Sequence, residues 1–419
     1  AQCAPGYVPM VPTLACGAST LRPSLFDCVR ASTLEGTEPA QGAVVSAGTT
    51  QFVAAAPLSE GRALMCYKDI SGSRIGRCNV IYASVASVLK GPSFNISAEE
   101  LDGLALVHLD VDRAVACYHL PEIASQGTCR LVVASSISLA VGDELAVCEG
   151  PAWHLAVARM TTDHAVVCCQ GDPSIGCRLL TASGLSLTAG PVATFEIGSA
   201  AYLALAQLDN GKAVACLSDA LRGRRAYCHT VSAYGTSLAA GAGVAVSPGA
   251  AHYVTMASMG TDKAVVCFSD WSASEQCHCS LLLASGTVLT EGARSMALDG
   301  LTRHLTLASL GDGRAAVCYQ YEAWFGRSYG HCSVLNAHGG ASLSSGNASL
   351  LSGSDVLVNA GTTWNLAAAK LGPDTALVCF SDTSFSEFGK CRVVWGLREW
   401  ITGEATACSS DPTEPLCTA

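Results

Sequence analysis

Apolar residues along this chain fall in short bursts, broken at regular intervals by Gly, Asp, Ser and Asn. No stretch carries a 3.6-residue apolar period through those breaks, so the bursts read as strands, not helices. One phrase returns seven times: ALMCYKD, AVACYHL, AVVCCQG, AVACLSD, AVVCFSD, AAVCYQY and ALVCFSD. Its cysteines are Cys66, Cys117, Cys168, Cys216, Cys267, Cys318 and Cys379, at intervals of 51, 51, 48, 51, 51 and 61 residues. The fourteen residues upstream align without gaps, as in HLAVARMTTDHAVVC, YLALAQLDNGKAVAC and HLTLASLGDGRAAVC. Downstream, a second cysteine opens another apolar burst at Cys78, Cys129, Cys177, Cys228, Cys279, Cys332 and Cys391.

Each unit reads as four strands. An apolar burst such as residues 203–208 is the first, and a turn such as Asp209-Asn210-Gly211-Lys212 supplies hairpin chemistry. The second strand carries the first Cys, a loop leads to the second Cys and third strand, and a Gly- and Ser-containing turn leads to the fourth. Seven such units predict an all-β, seven-bladed β-propeller with four antiparallel strands per blade. Alternate positions of the first strand are small (Ala54, Ala105, Ala156, Ala204, Thr255, Thr306, Ala367), which places this strand innermost, where blades crowd. The facing row is larger (Leu106, Val157, Leu205, Met256, Leu307), so small is expected to pack against large between blades. Closure of the ring is assigned to residues 36–47 as the outer strand of the last blade, with residues 400–409 as the alternative. The expected organisation is a Cys- and Pro-rich extension over 1–35, the propeller over 36–409, and a disulfide-tied tail over 410–419.

The 22 cysteines then acquire a meaning. Within a unit the two cysteines face each other across adjacent strands, close enough for a disulfide. The expected staples are Cys66–Cys78, Cys117–Cys129, Cys168–Cys177, Cys216–Cys228, Cys267–Cys279, Cys318–Cys332 and Cys379–Cys391. Cys169 points away from Cys168 and is assigned to Cys148. Cys3, Cys16, Cys28, Cys408 and Cys417 are expected to tie the termini, and Cys277 is left over. No Cys-x-x-Cys pair occurs, and one pair per blade keeps thiols too far apart for zinc. The opening Ala1-Gln2-Cys3 reads as a mature end after signal-peptide removal, and sequons stand at Asn95 and Asn347. Together these place the protein in a secreted, extracellular setting as a glycoprotein.

Half the chain is hydrophobic and 14% is charged, which excludes a disordered chain or coiled coil. A net charge of −10 argues against nucleic acid as a partner. No apolar run is long enough to span a membrane as a helix.

Candidate chemistry is sparse, and no catalytic, metal or cofactor motif is present. Asp69, Asp219, Asp270 and Asp382 follow the first Cys and read as turn caps, with a calcium or catalytic ring as the sharper alternative. Arg62, Arg113, His164, Lys212, Lys263 and Arg314 form a basic ring on the face of the first turns, read as solvated cations. His154, Tyr202, Tyr253 and His304 begin first strands at the opposite mouth, as a plug or a pocket lining. The stapled loops of three consecutive blades concentrate aromatic residues: Trp271, Tyr321, Trp324, Phe325, Tyr329, Phe385 and Phe388. Such clusters mark binding surfaces for sugars or partner proteins. Arg222, Arg224 and Arg225 add cations on the fourth loop.

The phrase AVVCFSD, a stapled loop and then CxxLLAS resemble the cysteine-bearing propeller repeats of secreted proteins in marine protists. The resemblance covers about residues 36–409 and implies a fold without an activity. The expected function is therefore a secreted binding or structural module recognising glycan or protein through its stapled-loop face. The alternatives are a hydrolase or lyase with a site at the channel mouth, or a self-assembling subunit of an extracellular fibre or coat. Because the acids here are symmetric and repeat-derived, the non-enzymatic reading leads.

Overall fold

The computed structural model describes residues 43–395, apart from short internal segments, together with five three-residue strands before residue 38. Seven antiparallel sheets follow one another along the chain. Blade 4 is representative: its inner strand Ala200–Asp209 pairs with Lys212–Asp219, which pairs with Arg225–Tyr234. The outer edge is divided between Ser237–Ala240 and the start of Val244–Gly260. That last strand, 17 residues long, then becomes the inner strand of blade 5, so one run of chain links rim to axis. The only helical elements among the described residues are single 3-10 turns, such as Ala220–Arg222 and Trp271–Ala273.

The core lies between the sheets. Six buried clusters each join two consecutive blades, and a seventh joins blade 7 to blade 1, which closes the ring. Second strands are sandwiched on both sides. All eight residues of Arg62–Asp69 are buried, which explains why these strands read as continuous apolar runs without alternation. The small and large rows meet as expected: Ala204 and Ala206 of blade 4 pack with Val254 and Met256 of blade 5.

Closure is made by the N-terminal side. Ala43 opposes Cys391 and Thr49 opposes Phe388, so the start of Ala43–Pro57 is the outer strand of blade 7 and its remainder the inner strand of blade 1. Ser381 Oγ donates to the Thr50 carbonyl at 2.8 Å across this seam. The expected outer strand is therefore present over residues 43–49. Residues 35–37 instead pair with Val88–Lys90 of blade 1. The alternative closing segment, residues 400–409, lies outside the described residues, as do the extension's side chains and the tail.

All seven in-blade disulfides are formed between directly opposed residues. Cys148–Cys169 is formed as well, and it crosses from the outer strand of blade 2 to the second strand of blade 3. At the position of Cys169, other blades place Tyr118, Phe268, Tyr319 and Phe380, all fully buried. The extra disulfide thus stands where an aromatic side chain otherwise fills the gap between blades. Cys277 is a buried free thiol, at a position that is Gly127, Gly330 or Gly389 in other blades. Pairings of Cys3, Cys16, Cys28, Cys408 and Cys417 lie outside the described side chains.

Two outcomes follow from this packing. Burial pushes the Cys277 thiol up to about 12, so alkylation at pH 8 should spare it in the native protein and label it after denaturation. Non-reducing peptide mapping should return the eight disulfides; a labelled native Cys277 would contradict the core assignment. Val45, 1% exposed in the blade 7–blade 1 cluster, tests closure. Val45→Asp should cost more than about 3 kcal/mol in urea unfolding, because a carboxylate is buried without a partner.

Candidate functional site

The two faces of the ring differ. On the face of the first turns, cations bridge to the next blade: Arg62 pairs with Asp112, Arg113 with Asp163 at 2.7 Å, and Lys212 with Asp262 at 3.6 Å. The expected basic ring is therefore partly neutralised by blade-to-blade pairing. Backbone bonds reinforce it, as where Gly61 N–H donates to the Leu371 carbonyl.

The opposite face carries the stapled loops. Asp69, Asp219, Asp270 and Asp382 are buried at their bases. Each Oδ1 accepts from the backbone N–H two residues on, at 2.9–3.1 Å. Asp382 also holds Lys390 at 2.8 Å. These acids are caps of the loops, as the turn reading anticipated.

Inside the loops lies a collar of rings at the channel mouth. In five blades the residue fourteen before the first Cys enters the inner strand through a register shift and adopts a left-handed backbone. Tyr202, Tyr253, His304 and Asn365 have φ of 53°, 51°, 47° and 49°, and Phe52 has 48°. Such a conformation costs a non-glycine residue roughly 1–2 kcal/mol and is kept where surroundings fix it. A bulge of this kind re-aims the side chain, here toward the mouth. Successive ring centroids are 5.8 Å apart for His154–Tyr202, 5.2 Å for Tyr202–Tyr253, 5.2 Å for Tyr253–His304 and 5.0 Å for His304–Trp364. His252 stacks beside Tyr202 at 5.4 Å, and Trp271 of the fifth stapled loop lies 4.8 Å from His252. Blade 2 places no ring there, with Gly103 at the equivalent position.

The collar is uncharged at neutral pH. Burial holds the imidazoles of His154 and His252 below their ordinary range, and lowers His304 to about 4. Burial, followed by the nearby Tyr202, raises the Tyr253 phenol. Charge stands at the rim: Lys68 bridges Glu100 and Asp102 at 2.8 and 2.6 Å, and Arg303 meets Glu275 and Glu322, each at 3.3 Å. Trp271 and Trp364 are exposed at 57% and 42%, so flat apolar faces remain available to a ligand. Among the described residues, no group of three His, Cys, Asp or Glu is placed to hold a metal ion.

The residues expected from the sequence are only partly gathered. Trp271 joins the collar directly. Tyr321 and Tyr329 oppose each other across blade 6 and are half-buried, with Tyr321 edge-on to His331 at 5.9 Å. Phe388 is half-buried opposite Asp382. Trp324 and Phe325 lie outside the described residues, as does the side chain of Phe385. Arg222 stacks on Tyr227 at 4.3 Å instead of reaching outward as a free cation. His252 and Trp364 were missed. Their signal was an aromatic residue fifteen before the first Cys, visible only once the repeat is aligned through its bulge. Asn95 is exposed on the outer strand Phe94–Glu100, as expected of an acceptor, and Asn347 lies outside the described residues.

No family model and no curated protein matches the chain. The resemblance to marine-protist repeats therefore rests on its short phrases alone. Among solved structures, a protein from Lactobacillus plantarum aligns with TM-score 0.50 at 13% identity, covering 75% of this chain and 86% of that one. AofleA from Arthrobotrys oligospora gives 0.45 at 9% identity, over 78% and 92%. Aleuria aurantia lectin, solved with Fucα1-6GlcNAc, gives 0.44 at 12% identity, over 75% and 98%. At these identities the likeness concerns fold alone. The molecule is a disulfide-stapled β-propeller.

The buried imidazoles set an acid limb of stability. His108, His119 and His304 are each lowered to about 4 by burial, while an unfolded histidine titrates near 6.5. Between those values the unfolded chain binds more protons than the folded one, so stability is full above about pH 6.5 and falls toward pH 4. Urea midpoints measured from pH 7.5 to 5 should decline, and the change of His304 to Gln should flatten the decline. A flat profile in the parent protein would show that these rings charge freely.

Proposed function

We propose that this protein is an extracellular carbohydrate-binding propeller that takes its ligand on the stapled-loop face. The observation that carries this reading is the aromatic collar. Tyr202, His252, Tyr253, His304 and Trp364 follow one another in ring contact around one mouth, with Trp271 beside them. Pyranose rings offer flat C–H faces edged by hydroxyls. Aromatic faces match the first, and phenol, imidazole and indole polar atoms match the second. Strained backbone held at five non-glycine positions supports a site organised in advance, which lowers the ordering cost of binding. The stapled loops act the same way, and eight disulfides fit an oxidising compartment.

The acids that a hydrolase would need are engaged as loop caps or rim ion pairs, which favours binding over catalysis. In this reading the recognition surface extends from the collar over Tyr321, Trp324, Phe325, Tyr329, Phe385 and Phe388. Asn95 and Asn347 would carry the protein's own glycans.

A glycan array should identify neutral oligosaccharides, and calorimetry should quantify the best of them. The paired changes Trp271→Ala and Trp364→Ala should weaken that binding by about 2 kcal/mol or more. The melting temperature should shift little, because both indoles are exposed. A comparable loss from Trp324→Ala with Phe325→Ala would extend the site onto the sixth loop. Unchanged glycan affinity in the Trp271 and Trp364 variant would refute the collar as the recognition surface.

A further inference from the structure

The central channel holds a second arrangement that the collar does not use. The residue nine before each first Cys is polar in six blades: His108, Arg159, Gln207, Ser258, Ser309 and Lys370. All six line one cavity of about 730 Å³, whose wall reaches the first turns at Ser59 and Gly372. Above them, toward the collar, the wall is apolar, with Leu106, Val157, Leu205, Met256 and Leu307. Among the described residues no Asp or Glu lines this cavity, although the chain has 34 acids against 24 Lys and Arg.

The contrast with the neighbouring turn cations is informative. Arg62, Arg113 and Lys212 each have a carboxylate on the next blade. Arg159 and Lys370 make no ion pair among the described residues. Arg159 donates from Nη1 to His108 Nε2 at 3.2 Å, which makes that imidazole a neutral acceptor. Its Nε is buried with no hydrogen-bond partner. Lowering the solvation of a guanidinium without a counter-ion is costly, and a buried donor left unmade adds to that cost. A bound anion would satisfy both, since a guanidinium presents a planar fork to carboxylate, phosphate or sulfate oxygens.

We propose that this end of the channel is a binding site for a small organic anion. Its oxyanion head would sit on Arg159, with Lys370 contributing charge from blade 7 and the apolar body lying against Leu205, Met256 and Leu307. The site is independent of the glycan reading, being built from other residues at the other end of the channel.

Phenyl phosphate is a suitable probe, with inorganic phosphate and phenol as head and body alone. Calorimetry and thermal shift on the intact protein should show binding of phenyl phosphate, weaker binding of phosphate and none of phenol. Arg159→Gln with Lys370→Gln should weaken phenyl phosphate at least tenfold, and Arg159→Lys should weaken it less. The Trp271 and Trp364 variant should bind it normally, which separates this site from the collar. If the double variant fails to fold by circular dichroism, Lys370→Gln alone should still lower the affinity measurably. No binding by the parent protein, equal binding of phenol, or unchanged affinity in the folded charge-removed variants would each overturn the proposal.

Discussion

Everything in this molecule depends on each sheet being buried on both faces by its neighbours. No blade has a core of its own, because the apolar side chains of one sheet meet those of the next. An open array would leave two apolar faces and their edges in water, at a cost proportional to the exposed area. The ring removes those faces by joining blade 7 to blade 1. The junction is made by strand pairing, by a buried apolar cluster and by the Ser381–Thr50 hydrogen bond. Closure is therefore the step at which local hairpins become one cooperative structure.

That dependence explains how chemistry is distributed. Inner strands must be narrow where they converge, so their packing positions are small, and functional side chains are pushed to the two ends of the channel. At the loop end a bulge repeated in five blades turns one residue toward the mouth, and the blades differ in the side chain they place there. At the turn end the equivalent freedom is used for polar residues, two of them cations that make no ion pair among the described residues. One fold thus offers two chemically distinct openings, one ringed by aromatic side chains and one lined by polar residues.

The disulfides serve the same architecture at a different level. Each in-blade staple joins the second and third strands below its loop, restricting the loop without stiffening the interface between blades. A staple of this kind contributes roughly 2–4 kcal/mol in the chain-entropy account. Cys148–Cys169 differs in crossing an interface, and it occupies the space that Tyr118 or Phe268 fills elsewhere. Cys277, by contrast, behaves as a small core residue beside its stapled neighbour Cys279.

The sequence by itself determined the repeat, its strands, the seven staples and the packing of small rows on large. Those features are local or periodic, so spacing and residue type report them directly. It also offered residues 36–47 as the closing segment, from a strand pattern before the first full unit, beside the alternative at residues 400–409. The collar was legible only in part. His154, Tyr202, Tyr253 and His304 stood out by position, but a bulge breaks the period of two and so hid His252 and Trp364. Only the tertiary structure joined Trp271 to His252, since they meet when a loop folds back over the inner strand of its own blade. Only the ring brought His108 to Arg159, 51 residues apart, and set Lys370 on the same wall. Charge pairing across blades was equally invisible, because which cation finds an acid depends on the rotation from one blade to the next.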